Sequence, residues 1–310
     1  MKITKKNVPE IARAKTKDIT VTKKYMLLSS GRSVFIFNKN FELLKKIEKL
    51  FYVYNTYVSP DERYALLVST GNCFYVLSLD TFEITKTTPR RPYNRNLAGY
   101  GCWTFDGESF FVFVSRHESN PTDSASCNLY TLRRYDLNGN YKDFFNDEYW
   151  LHYINPVTEL KKYLIIGKKR EEKLEDERWY FIWYDGEHFE KYLAEDYNDI
   201  VHYVDYDFEN EILTLYGIYN ISTYTFKGKK VSPAEVQGIF TRIDKVITSS
   251  KWNLQFTASF DGFLIEGING NTFRREIPVD YGVQNVVKVS EDIIAISTWG
   301  GVRFFELSED

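Results

Sequence analysis

Only four histidines occur in the chain, His117, His152, His188 and His202, and two of them repeat a local pattern. His152-Tyr153-Ile154-Asn155 and His202-Tyr203-Val204-Asp205 have the same order of residue types, 50 residues apart. Imidazole titrates near neutral pH and ligates metals, so such a pair could hold a divalent metal or move a proton. A metal centre needs further fixed ligands, and no third histidine stands in a matching place. Asp147, Glu148, Asp196, Asp199 and Asp205 lie nearby in sequence, but proximity selects little in a chain with 43 acidic residues. The simpler account of His152 and His202 is a structural pair, hydrogen-bonded between neighbouring elements.

Other catalytic signatures are missing. There is no Gly-x-Ser-x-Gly, no phosphate-binding glycine loop, no His-Glu-x-x-His and no dinucleotide fingerprint. The three cysteines, Cys73, Cys102 and Cys127, are odd in number and lack Cys-x-x-Cys spacing, which argues against a metal ribbon or a disulfide framework. No cofactor is expected, except a divalent metal if the histidine pair is functional.

Forty basic residues against 43 acidic ones give a net charge of −3. The chain as a whole is therefore not an electrostatic partner for nucleic acid or an anionic membrane. No apolar run approaches the length of a membrane span, and the start of the sequence lacks an apolar leader core, so a reduced, cytoplasmic location is expected. Aromatics make up 17% of residues, with 24 Tyr and 23 Phe, a richness suited to half-buried sheet surfaces.

The elements that must position any site are short strands in a repeat. Polar or glycine-bearing breaks near Lys39, Thr81, Asn138, Gly186, Gly228 and Gly270 are spaced by 42, 57, 48, 42 and 42 residues. A period of forty-odd residues built from short strands is the signature of a β-propeller blade. The second repeat is the clearest. An inner strand near Tyr54 to Val58 meets the turn Ser59-Pro60-Asp61-Glu62-Arg63, strands follow at Tyr64 to Ser69 and Cys73 to Leu79, and Phe82 to Lys86 completes four. The same turn grammar recurs at Thr104-Phe105-Asp106-Gly107-Glu108, and more loosely around Asn155-Pro156, Phe208-Glu209-Asn210, Ser249-Ser250-Lys251 and Ser290-Glu291-Asp292.

This count predicts an all-β, seven-bladed β-propeller of four-stranded antiparallel blades forming one domain over residues 1–310, with six blades as the alternative. The last repeat stops after three strands, at Leu307. The first 15 residues have no other home, so an N-terminal strand is expected to close the last blade. On Ser59-Pro60-Asp61-Glu62-Arg63-Tyr64 the chain resembles the WD40-like and YVTN-like propellers, without the Gly-His and Trp-Asp pairs of eukaryotic WD40 repeats. The resemblance covers essentially the whole length at the level of architecture. It implies either a non-catalytic binding scaffold or a hydrolase or lyase of the propeller-lactonase kind, with a metal or small ligand near His152 and His202.

Two long insertions and one linker are expected on the same face. They are residues 116–126 in the third blade, 168–178 in the fourth, and 89–96 between the second and third. Insertions on one face of a repeat array often mark the binding face. The 168–178 segment holds five basic and five acidic residues and reads as a solvated charged loop, or as a short helix paired Lys168 to Glu172 and Lys173 to Glu177. Arg90, Arg91, Tyr93, Arg95, His117 and Lys169 are the expected contacts for a protein or peptide partner, the arginines being suited to carboxylates.

Overall fold

The computed structural model describes residues 1–8, 18–69, 73–87, 95–118, 127–171, 177–217, 220–231, 243–259, 262–279, 282–298 and 300–309. Every regular element among them is a β-strand. After β1 (Lys2–Lys6), blade 1 comprises β2 (Asp18–Val21), β3 (Tyr25–Ser30), β4 (Ser33–Asn38) and β5 (Leu43–Ile47). Blade 2 comprises β6 (Val53–Val58), β7 (Tyr64–Ser69), β8 (Phe74–Ser78) and β9 (Ile84–Thr87). Blade 3 has β10 (Arg95–Trp103), β11 (Ser109–Glu118), β12 (Cys127–Asp136) and the start of β13 (Tyr141–Val157). The rest of β13 opens blade 4, followed by β14 (Lys162–Lys169), β15 (Arg178–Tyr184) and β16 (Phe189–Leu193). Blade 5 is β17 (Val201–Asp207), β18 (Ile212–Gly217), β19 (Ile221–Thr225) and β20 (Lys230–Val231). Blade 6 is β21 (Ile243–Ser249), β22 (Leu254–Ser259), β23 (Gly262–Gly267) and β24 (Arg274–Pro278). Blade 7 has β25 (Val283–Ser290), β26 (Ile293–Thr298), β27 (Gly301–Ser308) and, as its fourth strand, β1.

The architecture is thus the seven-bladed propeller, and six blades are excluded. Lys2 pairs with Ser308 and Lys6 with Phe304, so the N-terminal strand closes the last blade as the missing strand required. By the density of contacts the chain divides into two compact units, residues 1–56, 216–220 and 235–310 in one, and 57–215 and 221–234 in the other.

Burial explains the strand order. The middle strands are buried almost continuously, with every residue of β8 buried and all but the first of β7. A strand packed on both faces has no reason to alternate apolar with polar residues. The fourth strands are the opposite, and β5, β16 and β24 are largely exposed. The core fills the spaces between neighbouring blades. One cluster joins Ile19, Met26 and Leu28 of blade 1 to Val287, Ala295 and Phe304 of blade 7. Another joins Ile166, Trp179 and Phe181 of blade 4 to Val201, Val204 and Leu213 of blade 5.

The Ser-Pro-Asp turn works as its chemistry predicts. The Ser59 hydroxyl donates to Asp61 Oδ1 at 2.6 Å and accepts from the Tyr64 amide at 3.0 Å. In blade 3, Thr104 donates to Asp106 Oδ1 at 2.6 Å and accepts from the Ser109 amide at 3.0 Å. Both turns need a left-handed residue, supplied by Glu62 at φ 57° and by Gly107 at φ 72°.

Two expectations are corrected. Asn155 and Pro156 lie inside β13, paired with Leu164 and Tyr163, and the turn falls at residues 158–161. Proline is tolerated there because β12 has already left β13, which makes this part of β13 an edge. The expectation that every blade stands as its own four-stranded sheet is corrected too. The 17-residue β13 passes from one blade to the next, with Phe145 at φ 60° where the chain turns, so the two blades form one seven-stranded sheet.

Candidate interaction face

The described part of the extra residues of the third and fourth repeats extends strands. Arg116, His117 and Glu118 belong to β11, facing Leu129, Asn128 and Cys127 of β12. Lys168 and Lys169 belong to β14 and Arg178 to β15, so neither a loop nor a helix describes these ends. Lys168 pairs with Glu177 at 2.9 Å, and the expected partners Glu172 and Lys173 fall in residues 172–176, outside the described ones. Cross-strand pairing satisfies the backbone of a long insertion, which is why the strands continue.

Three of the six expected contacts fall at one end of this seven-stranded sheet. Arg95 is the first residue of β10 and faces Arg116 of β11. His117 faces Asn128. Lys169 ends β14, between Tyr149 of β13 and Arg178 of β15. Arg90, Arg91 and Tyr93 lie outside the described residues. The register of Lys169 with Arg178 sets cation opposite cation, an arrangement that costs a sheet stability. Glu171 offsets this cost, since it accepts from Lys169 Nζ at 2.7 Å and holds that ammonium above its usual pKa.

Behind this end the sheet is stiffened by rings. Phe145 meets Phe189 at 4.5 Å and Tyr149 at 5.4 Å, and Lys191 lies over Phe145 and Tyr149 at 5.2 and 5.1 Å. Burial and the neighbouring Glu148 push the Tyr149 hydroxyl up to about 12. Farther down blade 3, Arg133 forks onto both carboxylate oxygens of Asp143 and lies 3.8 Å from the Tyr141 ring centre.

The histidine pair does not assemble a metal centre. His152 sits at the bulge between Leu151 and Tyr153, its ring 5.1 Å from that of Trp179. Burial, with Lys168 nearby, lowers its pKa to about 4, so it is neutral at physiological pH. His202 is the second residue of β17. Among the described residues, no three His, Cys, Asp or Glu side chains gather to hold a metal ion. Among the described residues, the ring of His152 packs on Trp179 without a further ligand set for a divalent metal.

A polar constellation unforeseen from sequence lies on the first strands of blades 6, 7 and 1. Lys245 Nζ donates to Asn285 Oδ1 at 3.0 Å, and Asn285 Nδ2 donates to Asp18 Oδ1 at 3.0 Å and to the Ile19 carbonyl at 3.1 Å. Asp18 Oδ2 accepts from the Thr56 amide of blade 2 at 3.2 Å. Burial raises the Asp18 pKa against these partners and lowers that of Lys245. The three residues are structurally equivalent, each facing the penultimate residue of its second strand, Ser29, Ala258 or Ser297. Register shifts directly before Lys245 and Asn285 re-aim both side chains. The signal in the sequence is a polar residue directly before a β-branched apolar one: Asp18-Ile19, Lys245-Val246 and Asn285-Val286.

Solved propellers share this arrangement of blades. A structure described as the Dos1 propeller matches with a TM-score of 0.61 at 12% identity, over 95% of this chain and 79% of that one. The β-propeller domain of Myceliophteria thermophila Cps50 (Swd1) matches with a TM-score of 0.64 at 9% identity, over 98% of both chains. No protein-family model matches the sequence, and no curated protein matches it. At such identity the likeness establishes the fold, in agreement with the WD40-like resemblance of the blade turns.

Proposed function

We propose that the protein is a non-catalytic scaffold that binds a protein or peptide at the upper end of the sheet formed by blades 3 and 4. The observation that carries this reading is the register that sets Lys169 opposite Arg178 at one end of the seven-stranded sheet, the end at which the backbones of Arg95 and Arg116 also pair. Like charges placed opposite each other weaken a sheet, and a partner's carboxylates or carbonyls would relieve the cost on binding. Strands, rather than loops alone, hold these positions, so little ordering entropy is lost when a partner docks. Arg95, His117 and Lys169 are the proposed contacts on the strands, and Arg90, Arg91 and Tyr93 are added to them from the sequence alone.

A displayed random-peptide library selected against the wild-type protein tests the reading. Peptides that bind should lose about tenfold or more in affinity for a Lys169→Glu, Arg178→Glu variant of unchanged circular dichroism. Selected peptides that bind both proteins equally would sink it.

A further inference from the structure

Within the compact unit that holds blades 7 and 1, the turns of these two blades enclose an open groove of about 510 Å³. Its floor is apolar: Val21 at the end of β2, Val289 in β25 and Ile293 at the start of β26. Three lysines line it, Lys23 from the β2–β3 turn, Lys39 from the β4–β5 turn and Lys288 from β25. One carboxylate, Glu291, lines it too, and that group is held by Lys288 at 2.5 Å and by the Ser249 hydroxyl at 3.2 Å. Lys39 Nζ donates to the Val289 carbonyl at 3.1 Å, which draws its stem along the apolar floor.

Three ammonium groups against one carboxylate give this groove the opposite sign to the chain's net −3. Its volume lies within the range of about 300–1,000 Å³ usual for ligand sites. We propose that this groove is a second interaction site, which takes an extended acidic peptide with carboxylates on the lysines and small aliphatic side chains on the Val21, Val289 and Ile293 floor. Nucleic acid fits less well. The cations are lysines, which act as point charges without the fork that grips phosphate, they flank an apolar floor, and the surrounding chain is net acidic.

The test uses the whole protein and a short fluorescein-labelled peptide in which glutamate alternates with valine or leucine, read by fluorescence anisotropy. Binding should weaken as salt rises and should fall about tenfold or more in a Lys23→Glu, Lys39→Glu variant. Lys23→Gln with Lys39→Met, which keeps an apolar stem at Lys39, should lose affinity in the same direction while melting like the wild type. A Lys2→Glu, Lys45→Glu variant changes charge equally on exposed positions away from the groove and should bind normally. Equal loss in that control, equal binding of a glutamine-for-glutamate peptide, or tighter binding of a single-stranded oligonucleotide would each overturn the proposal.

Discussion

Replacing Asn285 by alanine should be among the most damaging polar substitutions in the molecule. Its amide bridges three blades, accepting from Lys245 at 3.0 Å and donating to Asp18 at 3.0 Å and to the Ile19 carbonyl at 3.1 Å. A hydrogen bond to a charged group contributes about 1.5–3 kcal/mol when well buried. Asp18 is 8% exposed, so its bond counts near the middle of that range. Lys245 and Asn285 are half-buried, which puts their bond near the low end. The expected loss is about 4 kcal/mol, measured by urea unfolding followed by tryptophan fluorescence. Asp18→Ala should lose less, about 1–2 kcal/mol, because removing the carboxylate also removes a desolvation penalty. The sharper criterion is the double variant, which should cost less than the two single losses combined, by about 1 kcal/mol or more. A loss below about 0.5 kcal/mol for Asn285→Ala, or additivity within about 0.5 kcal/mol, would refute the idea that these side chains act as one unit.

Asp18 also carries a pH signature. Burial raises its folded pKa, so its contribution to stability is complete below the ordinary carboxylate value of about 3.9 and is lost as pH rises through the folded value. The deficit of Asp18→Ala should therefore shrink from acid to neutral pH, and a growing deficit in paired urea titrations would contradict the burial argument. Arg133→Lys cannot reproduce the fork on Asp143 or the stacking on Tyr141, and it should cost about 2 kcal/mol in the same assay. Deleting residues 1–6 removes the strand that covers the β27 edge and the buried Ile3, so it should lower the melting temperature and promote association detectable by light scattering. If the chain is one cooperative domain, as its closing strand suggests, calorimetry of the intact protein will give a single transition, whereas two separate transitions would assign independent stability to the two compact units.

Much of the fold was readable from residue order. Ser33–Asn38 and Tyr64–Ser69 have the bounds that their apolar runs and flanking turns imply, because short strands between Gly, Asn, Asp and Pro breaks are specified locally. Closure by β1 followed from arithmetic, since a last blade of three strands leaves an unpaired edge. Local grammar failed where strands outran their turns. Asn155-Pro156 looks like a turn, yet β13 runs through it, because pairing with Tyr163 and Leu164 outweighs the local preference on an edge that needs no proline donor. The same pairing energy converts the charged ends at Arg116, Lys168 and Lys169 from expected loop into strand.

The sequence by itself determined the repeat, the seven blades and the hydroxyl-aspartate turns, which depend on neighbours within about forty residues, and the closing strand, which follows from the strand count although Lys2 pairs with the distant Ser308. Only the tertiary structure decided which polar residues meet. Asp18, Lys245 and Asn285 lie up to 267 residues apart and come together because adjacent blades present the same position of their first strands to one another. His152 and His202, which match in sequence far better, gather no three-ligand cluster among the described residues, and Trp179 and the bulge at Leu151 and Tyr153 fix the setting of His152. Spacing along the chain specifies a place in a blade, whereas side-chain encounters depend on how twisted sheets pack across the gap between blades.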